Sequence, residues 1–263
     1  MNSSLASVIA DSKAIVPELV AASGEISKKY FRTELGVDTK SDASPVTIAD
    51  KLAEQALRKI IQQHFPEHGI IGEEFGTHQP EADFQWYLDP IDGTKSFIAG
   101  FFDFGTLIGL TYKNQPVLGI IHQPILDELY IGDNQQTTLN GKVIKTRSPQ
   151  SLAEATLLTT DLFTVAKLHD PAGFDRLTRS VKYCRTWGNC YGYALVAAGY
   201  VDVMVDPILG GPWDIVALIP IIRGAGGVIT DYYGTEPSHE SKRHLIAASS
   251  KQLHSEVLKV LHG

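Results

Sequence analysis

The chain of 263 residues predicts a mixed α/β fold in two interlocked halves, an N-terminal α+β half over 1–148 and a C-terminal α/β half over 149–263. Three observations predict it. Apolar residues at helical spacing open the chain, short β-type runs fill 69–131, and from about 150 strand-like and helix-like segments alternate. The length allows one large domain or two smaller ones sharing a core.

Residues 5–31 carry apolar side chains at helical spacing, with Pro17 as a kink. Ser44-Pro45-Val46-Thr47 reads as a helix entry. Beyond it Leu52, Ala53, Ala56, Leu57, Ile60 and Ile61 repeat at three and four, marking one buried face. Asp50 falls in the first turn, where an acid suits the helix dipole. Short β runs follow: GIIGEE from Gly69, FQWYLDP, then 104–112, 117–123 and 128–131, with turns at Asn114-Gln115 and Asn140-Gly141. After 150 come ATLLTT, a helix near 173–180, VKYCRTW, a helix near 190–199 and VDVMVD. A helix opening at Trp213-Asp214 and interrupted near Pro220 precedes GGVITDYYG, HLIAASS and a C-terminal helix. No internal repeat or long linker is present.

Composition narrows the function classes. With 43% hydrophobic and 20% charged residues the chain reads as an ordinary globular protein. A net charge of −7 leaves no basic excess for nucleic acid or an anionic membrane. Cys184 and Cys190 are too few for a disulfide framework and lack zinc spacing, so both read as reduced thiols. Asp11 and Lys13 interrupt the first apolar stretch, which argues against a signal peptide, and no run reaches the roughly 18 apolar residues of a membrane span. The expected location is the cytoplasm.

The chemistry concentrates in acids at the ends of apolar elements. In WYLDPIDGTKSF, residues 86–97, Pro90 biases Asp89 toward extended backbone, Gly93 permits a sharp turn, and Thr94 can cap what begins at Lys95. Asp89, Asp92 and an intervening carbonyl then suit a hard cation. Taken alone, the segment fits a solvated Asp-Gly turn equally well. Gly72-Glu73-Glu74 also follows a short apolar run, and neighbouring strands ending together would place Glu73 beside Asp89. Asp214 follows Gly210-Gly211-Pro212-Trp213 and precedes the apolar IVALIPII; by itself it reads as a helix cap. If the acids converge, their repulsion calls for divalent cations, and Mg²⁺ is the candidate because no His or Cys is placed to select zinc. Two ions sharing a carboxylate would activate water for in-line displacement at phosphorus, with the N–H groups of Gly93 and Thr94 suited to the phosphate.

GEE, DPIDGT, and WD before an apolar helix and GG together resemble the inositol-monophosphatase family, over nearly the whole chain, including SPVTIAD (44–50) and VDVMVDP. The resemblance implies a layered αβαβα sandwich of the sugar-phosphatase type, two or three Mg²⁺ ions, a small phosphorylated substrate and a homodimer. It implies Glu73, Asp89, the Ile91 carbonyl, Asp92 and Asp214 as metal ligands, with Asp89 bridging. It also implies Thr94, supported by Asp50, as the pair orienting the attacking water, with Glu73 in the catalytic set. Within the family, GTKSF, FGTLI and TWGNCYGYALVAAG look most like the histidinol-phosphatase branch of histidine biosynthesis; inositol, other polyol or nucleotide phosphates are the alternative substrates, and an idle binding relative the remote one. That branch implies substrate contacts from Asp92, Gly93, Thr94, Lys95, Arg185, Asn189, Asp206 and Asp214. Its members often have Asp where this chain has Asn189, which drops a charge. The aromatic set Trp187, Tyr191 and Tyr193 suits an imidazole, or equally a core.

Overall fold

A computed structural model describes residues 3–40, 44–149, 151–163, 170–206, 210–238 and 244–263. Two helices lead, α1 (Ser3–Ala14) and α2 (Val16–Tyr30). Pro17 does not kink one long helix: the break falls at Ile15, and the proline sits in the first turn of α2, where its missing N–H costs nothing. A two-stranded ribbon, β1 (Val37–Thr39) and β2 (Pro45–Thr47), feeds α3 (Ile48–His64). Thr47 caps α3: its hydroxyl accepts from the Ala49 N–H, while Asp50 reaches back to the Thr47 N–H. Ala53, Leu57, Ile60 and Ile61 form the buried face; Leu52 and Ala56 flank it, half-buried.

An antiparallel-rich sheet of eight strands comes next: β3 (Gly69–Gly72), β4 (Gly76–His78), β5 (Phe84–Asp92), β6 (Gly105–Tyr112), β7 (Gln115–Gln123), β8 (Glu128–Gly132), β9 (Thr137–Leu139) and β10 (Lys142–Ile144). Their order is β10-β9-β8-β7-β6-β5-β3-β4, and only β3 and β5 run parallel. The β6–β7 turn centres on Lys113-Asn114, one residue earlier than expected, because both take positive φ, as a two-residue hairpin loop requires. The Asn140-Gly141 turn lies where expected. A short helix α4 (Thr94–Ile98) follows β5.

Among the described residues there follow β11 (Thr156–Leu158), α5 (Pro171–Ser180), β12 (Tyr183–Arg185), α6 (Asn189–Ala197), β13 (Val203–Asp206), α7 (Pro212–Ile215), α8 (Leu218–Gly224), β14 (Val228–Asp231), β15 (Leu245–Ala248) and α9 (Lys251–His262). Five strands form the second sheet, β12-β11-β13-β15-β14. The helix expected at Trp213 is split at Val216-Ala217, since Pro220 has no N–H for the Val216 carbonyl.

Strand alternation builds the layers. Trp86, Leu88, Ile108 and Ile120 face α2 and α3, meeting Val16, Leu19, Leu57 and Ile61. Leu107, Ile121 and Tyr130 face the other way, onto Tyr193, Ala194, Leu218, Ile221 and Ile222 of α6 and α8, which also cover Leu158, Met204 and Ala247. The outer face of the second sheet, Leu157, Val203, Val205 and Ile246, packs on Phe174, Leu177, Leu253 and Val257 of α5 and α9. The result is an αβαβα sandwich, in which each fully buried aliphatic side chain contributes about 1.5–3 kcal/mol. The central helices lie close on the first sheet. Gly109, Gly119 and Gly132 stand opposite one another across β6, β7 and β8. A Cβ on Gly119 would come within 1.9 Å of the Ala217 carbonyl oxygen, and one on Gly132 within 2.5 Å of Ile221 Cα.

Candidate active site

Where the strands end, the acids meet. β3 and β5 run parallel with Gly72 opposite Leu88, and the Glu73 N–H donates to the Leu88 carbonyl at 3.1 Å, so the GEE loop leaves the sheet beside Asp89. β5 does not stop at Asp89; a register shift between Asp89 and Asp92 carries it to Asp92. Gly93, with φ +91°, then turns the chain into α4. Thr94 does not cap that helix. Its hydroxyl lies 3.1 Å from the Ile91 carbonyl and 3.4 Å from Asp50 Oδ1, so its single proton has two acceptors.

Asp214 arrives from α7, in the middle layer, not as its N-cap, which is Gly211, but as its third residue, whose Oδ2 reaches back to accept from the N–H groups of Gly210 and Gly211. Carboxylate oxygens of Asp89, Asp92 and Asp214 lie within 4.8 Å of one another. They border a cavity of about 230 Å³ that also takes in Glu73, Ile91, Gly93, Thr94, Lys95, Asn189 and Asp206. Burial and the charges of Glu73, Asp92 and Asp214 push Asp89 well above the ordinary carboxylate range. Burial, then Asp92 and Glu73, raises Asp214 likewise. Asp92 rises to about 6, chiefly through burial, although the Cys190 N–H donates to it. Three crowded oxygen donors of one sign, Asp89 and Asp214 buried and Asp92 half-buried, form a donor set that fits a hard divalent cation.

Asp50 stands behind this cluster. Its Oδ2 accepts from the Thr47 N–H at 2.8 Å and from the Thr47 hydroxyl at 2.6 Å, leaving Oδ1 toward Thr94. Burial raises its pKa. Glu73 lines the cavity with its Oε1 on Lys40 Nζ at 2.7 Å, and Lys40 also holds Glu74 at 2.5 Å. Burial opposes the charge on Lys40, but the two carboxylates outweigh it and keep the ammonium protonated above its usual range.

The substrate-side residues divide. Asp206 is buried in the cavity; its Oδ2 accepts from the Thr160 hydroxyl at 3.0 Å, its Oδ1 has no partner among the described residues, and burial pushes it up to about 8. Asn189 borders the cavity with φ +49°, its N–H on Thr160 Oγ1 and its amide N–H on the Asp103 carbonyl at 2.8 Å. Lys95 is exposed at the rim. Arg185 does not border the cavity. It lies on the edge strand β12, where its guanidinium donates to the Cys184 carbonyl and stacks over Tyr183, because β12 directs it away from the acids. The aromatic set also separates: Trp187 and Tyr191 line another, apolar hollow with Phe101 and Phe102, while Tyr193 is core. Lys40, Thr160 and Asp161 went unnoticed in the sequence. Asp161 follows the apolar ATLLTT as Glu73 follows GII, and that pattern marks it; Lys40 carries no local signal.

A family model described as the inositol monophosphatase family matches residues 12–263. The chain belongs to the inositol monophosphatase family. Among inositol monophosphatase relatives, the bifunctional phosphatase IMPL2, chloroplastic, of Arabidopsis thaliana is 45% identical over 253 residues, covering 92% of this chain and 72% of that protein. A histidinol-phosphatase of Chlorobaculum parvum is 38% identical over 224 residues, 83% of this chain and 85% of its own. The solved structure of an inositol monophosphatase from Zymomonas mobilis superposes with a TM-score of 0.86 at 39% identity, covering 96% and 98% of the two chains. The fold is that of inositol monophosphatases, and the chain is a phosphatase, a phosphoric monoester hydrolase of small phosphorylated substrates. Among the described residues no helix is long and apolar enough to cross a membrane.

Proposed function

We propose that this phosphatase hydrolyses L-histidinol phosphate to L-histidinol and phosphate, with Mg²⁺ held by Glu73, Asp89, the Ile91 carbonyl, Asp92 and Asp214. Bound Mg²⁺ supplies Lewis acidity, lowering the pKa of a water and neutralising phosphoryl charge. Thr94 Oγ1 would orient the attacking water, taking a proton from it as the Thr94 hydroxyl passes its own to Asp50 Oδ1. The N–H groups of Gly93 and Thr94 hold the phosphate, and Lys95 at the rim attracts it. No protein nucleophile is needed, since phosphoryl transfer rests on positioning and charge stabilisation.

The observation that carries the substrate is Asp206. A buried carboxyl oxygen without a donor among the described residues is costly, and a substrate ammonium or imidazole N–H would satisfy it and favour loss of the proton that burial holds there. Asn189, neutral here, adds amide hydrogen bonding in place of a second charge. The relative named a histidinol-phosphatase supports the same reading. The test is a panel of histidinol phosphate, inositol 1-phosphate and a nucleoside 3′,5′-bisphosphate, each with Mg²⁺. Histidinol phosphate should give the highest kcat/KM, and Asp206→Asn should lower it on that substrate more than on inositol 1-phosphate. A preference for either rival would remove the substrate assignment and leave the phosphatase class in place. We also assign the chain to the cytoplasm and to a homodimer; sedimentation at a mass of one chain would overturn the latter.

A further inference from the structure

Beneath the GEE loop lies a charged pair that the proposed chemistry does not use. Glu54, in the middle of α3, is fully buried. Its Oε2 accepts from the Glu74 N–H at 2.7 Å and its Oε1 from the Phe75 N–H at 3.2 Å. Arg58, one turn along the same helix, donates Nε to Oε1 at 2.7 Å and uses its other arm on the Gly76 carbonyl. These contacts fall on the three-residue loop between β3 and β4, whose strands pair Gly72 with Gly76. Such a loop turns its N–H groups inward, and here they meet a carboxylate instead of water. Glu73 is therefore fixed from both sides. Its own N–H is tied to the Leu88 carbonyl, next to Asp89, and the two following N–H groups are tied to Glu54. There is no slack: a Cβ on Gly72 would stand 2.0 Å from Glu54 Oε1.

We infer that Glu54 is a positioning residue for the metal centre, holding the Glu73–Glu74 loop at the height from which Glu73 reaches a cation shared with Asp89. Glu54 touches neither substrate nor metal and acts through the backbone. Burying a charged pair with full hydrogen bonding is poor value for stability alone, since an apolar pair of similar volume does as well or better. Its use lies in fixing one geometry. The inference rests on reading Glu73 as a metal ligand, and the experiment separates the two.

Calorimetric titration of the full chain with Mg²⁺, without substrate, is run on wild type, Glu54→Gln and Glu73→Gln. Glutamine keeps the shape but offers one acceptor oxygen where the loop and Arg58 use two. The Mg²⁺ dissociation constant of Glu54→Gln should rise on the order of tenfold, as for other groups that orient metal ligands. The Mg²⁺ concentration for half-maximal phosphatase activity should rise with it, and kcat should recover at saturating Mg²⁺. A purely structural role would lower the melting temperature and leave the dissociation constant unchanged, and that result overturns the inference. Weakened binding in Glu73→Gln with normal binding in Glu54→Gln also overturns it, while normal binding in Glu73→Gln removes the ligand reading instead. Should Glu54→Gln fail to fold, Glu54→Gln/Arg58→Gln removes both charges together and is read the same way. A measurement on wild type needs no variant: the Glu74 and Phe75 amides should exchange slowly with deuterium before Mg²⁺ is added, and coil-like exchange at both would refute the anchoring.

Discussion

Asp89 is the residue on which the cluster closes, because it lies within reach of Glu73, Asp92 and Asp214 at once. Asp89→Asn should abolish turnover and weaken Mg²⁺ binding with little change in melting temperature; retained activity would refute a shared-ligand centre. Thr94→Ala, which removes the hydroxyl between Ile91 and Asp50, should lower kcat on the order of a hundredfold with KM nearly unchanged. Protons compete with the metal. Burial holds Asp92 up to about 6 and also raises Asp89 and Asp214, so they must shed protons on binding, and apparent Mg²⁺ affinity should rise between pH 5 and pH 7. Calorimetry at the two values checks the sign. At this scale the sequence was legible wherever the signal was local. Glu73, Asp89 and Asp92 follow apolar residues at a strand end, Asp214 precedes an apolar run after Gly210-Gly211, and all four border the cavity. Lys40 and Thr160 were not legible, since each is defined by a partner 33 or more residues away, Glu73 and Asp206. Arg185 does not border the cavity, because a strand's direction, not its neighbours in sequence, decides where a side chain points.

The helix α3 shows how an element serves both stability and chemistry. Thr47 caps it and also donates both bonds, from its N–H and its hydroxyl, that aim Asp50 at Thr94. Thr47→Ala should cost about 1 kcal/mol in urea unfolding, with an unchanged m-value, and should lower kcat beyond what that loss explains. Equal kcat would mean that the Thr47 N–H alone suffices to orient Asp50. The existence and order of the elements were legible from apolar spacing, because burial on one face is what makes the pattern. Boundaries were less so. The turn at Lys113-Asn114 puts a lysine at positive φ, which no residue preference announces. Pro17 and Pro220 each mark a break that falls upstream: Pro17 sits in the first turn of α2 after the break at Ile15, while Pro220 leaves the Val216 carbonyl, four residues before it, without an N–H, so that break lies at Val216-Ala217.

For the whole molecule, the two sheets and three helical layers place a concentration of buried carboxylates at one end of the sandwich. In the folded chain Asp206 holds its proton up to about 8 and Asp103 up to about 7, both through burial, against 3.8 ordinarily. The folded state thus binds more protons than the unfolded one between about pH 4 and 8, and stability falls as pH rises through that window. The melting temperature of EDTA-treated protein should drop from pH 5 to pH 8, and Mg²⁺ at pH 8 should restore it. A rise over the same range would show that other groups dominate. The layered order was legible only through resemblance; nothing local says which face of a sheet a distant helix covers. The glycines of β6, β7 and β8 make that placement consequential. The helix they admit is continuous with the turn bearing Asp214, so the elevation of the third acid is fixed by three missing methyl groups. A methyl at Gly119 would meet backbone, which cannot rotate aside as a side chain can. In a genetic screen such an allele would pass for a lesion in the catalytic centre, although Gly119 does not border the cavity.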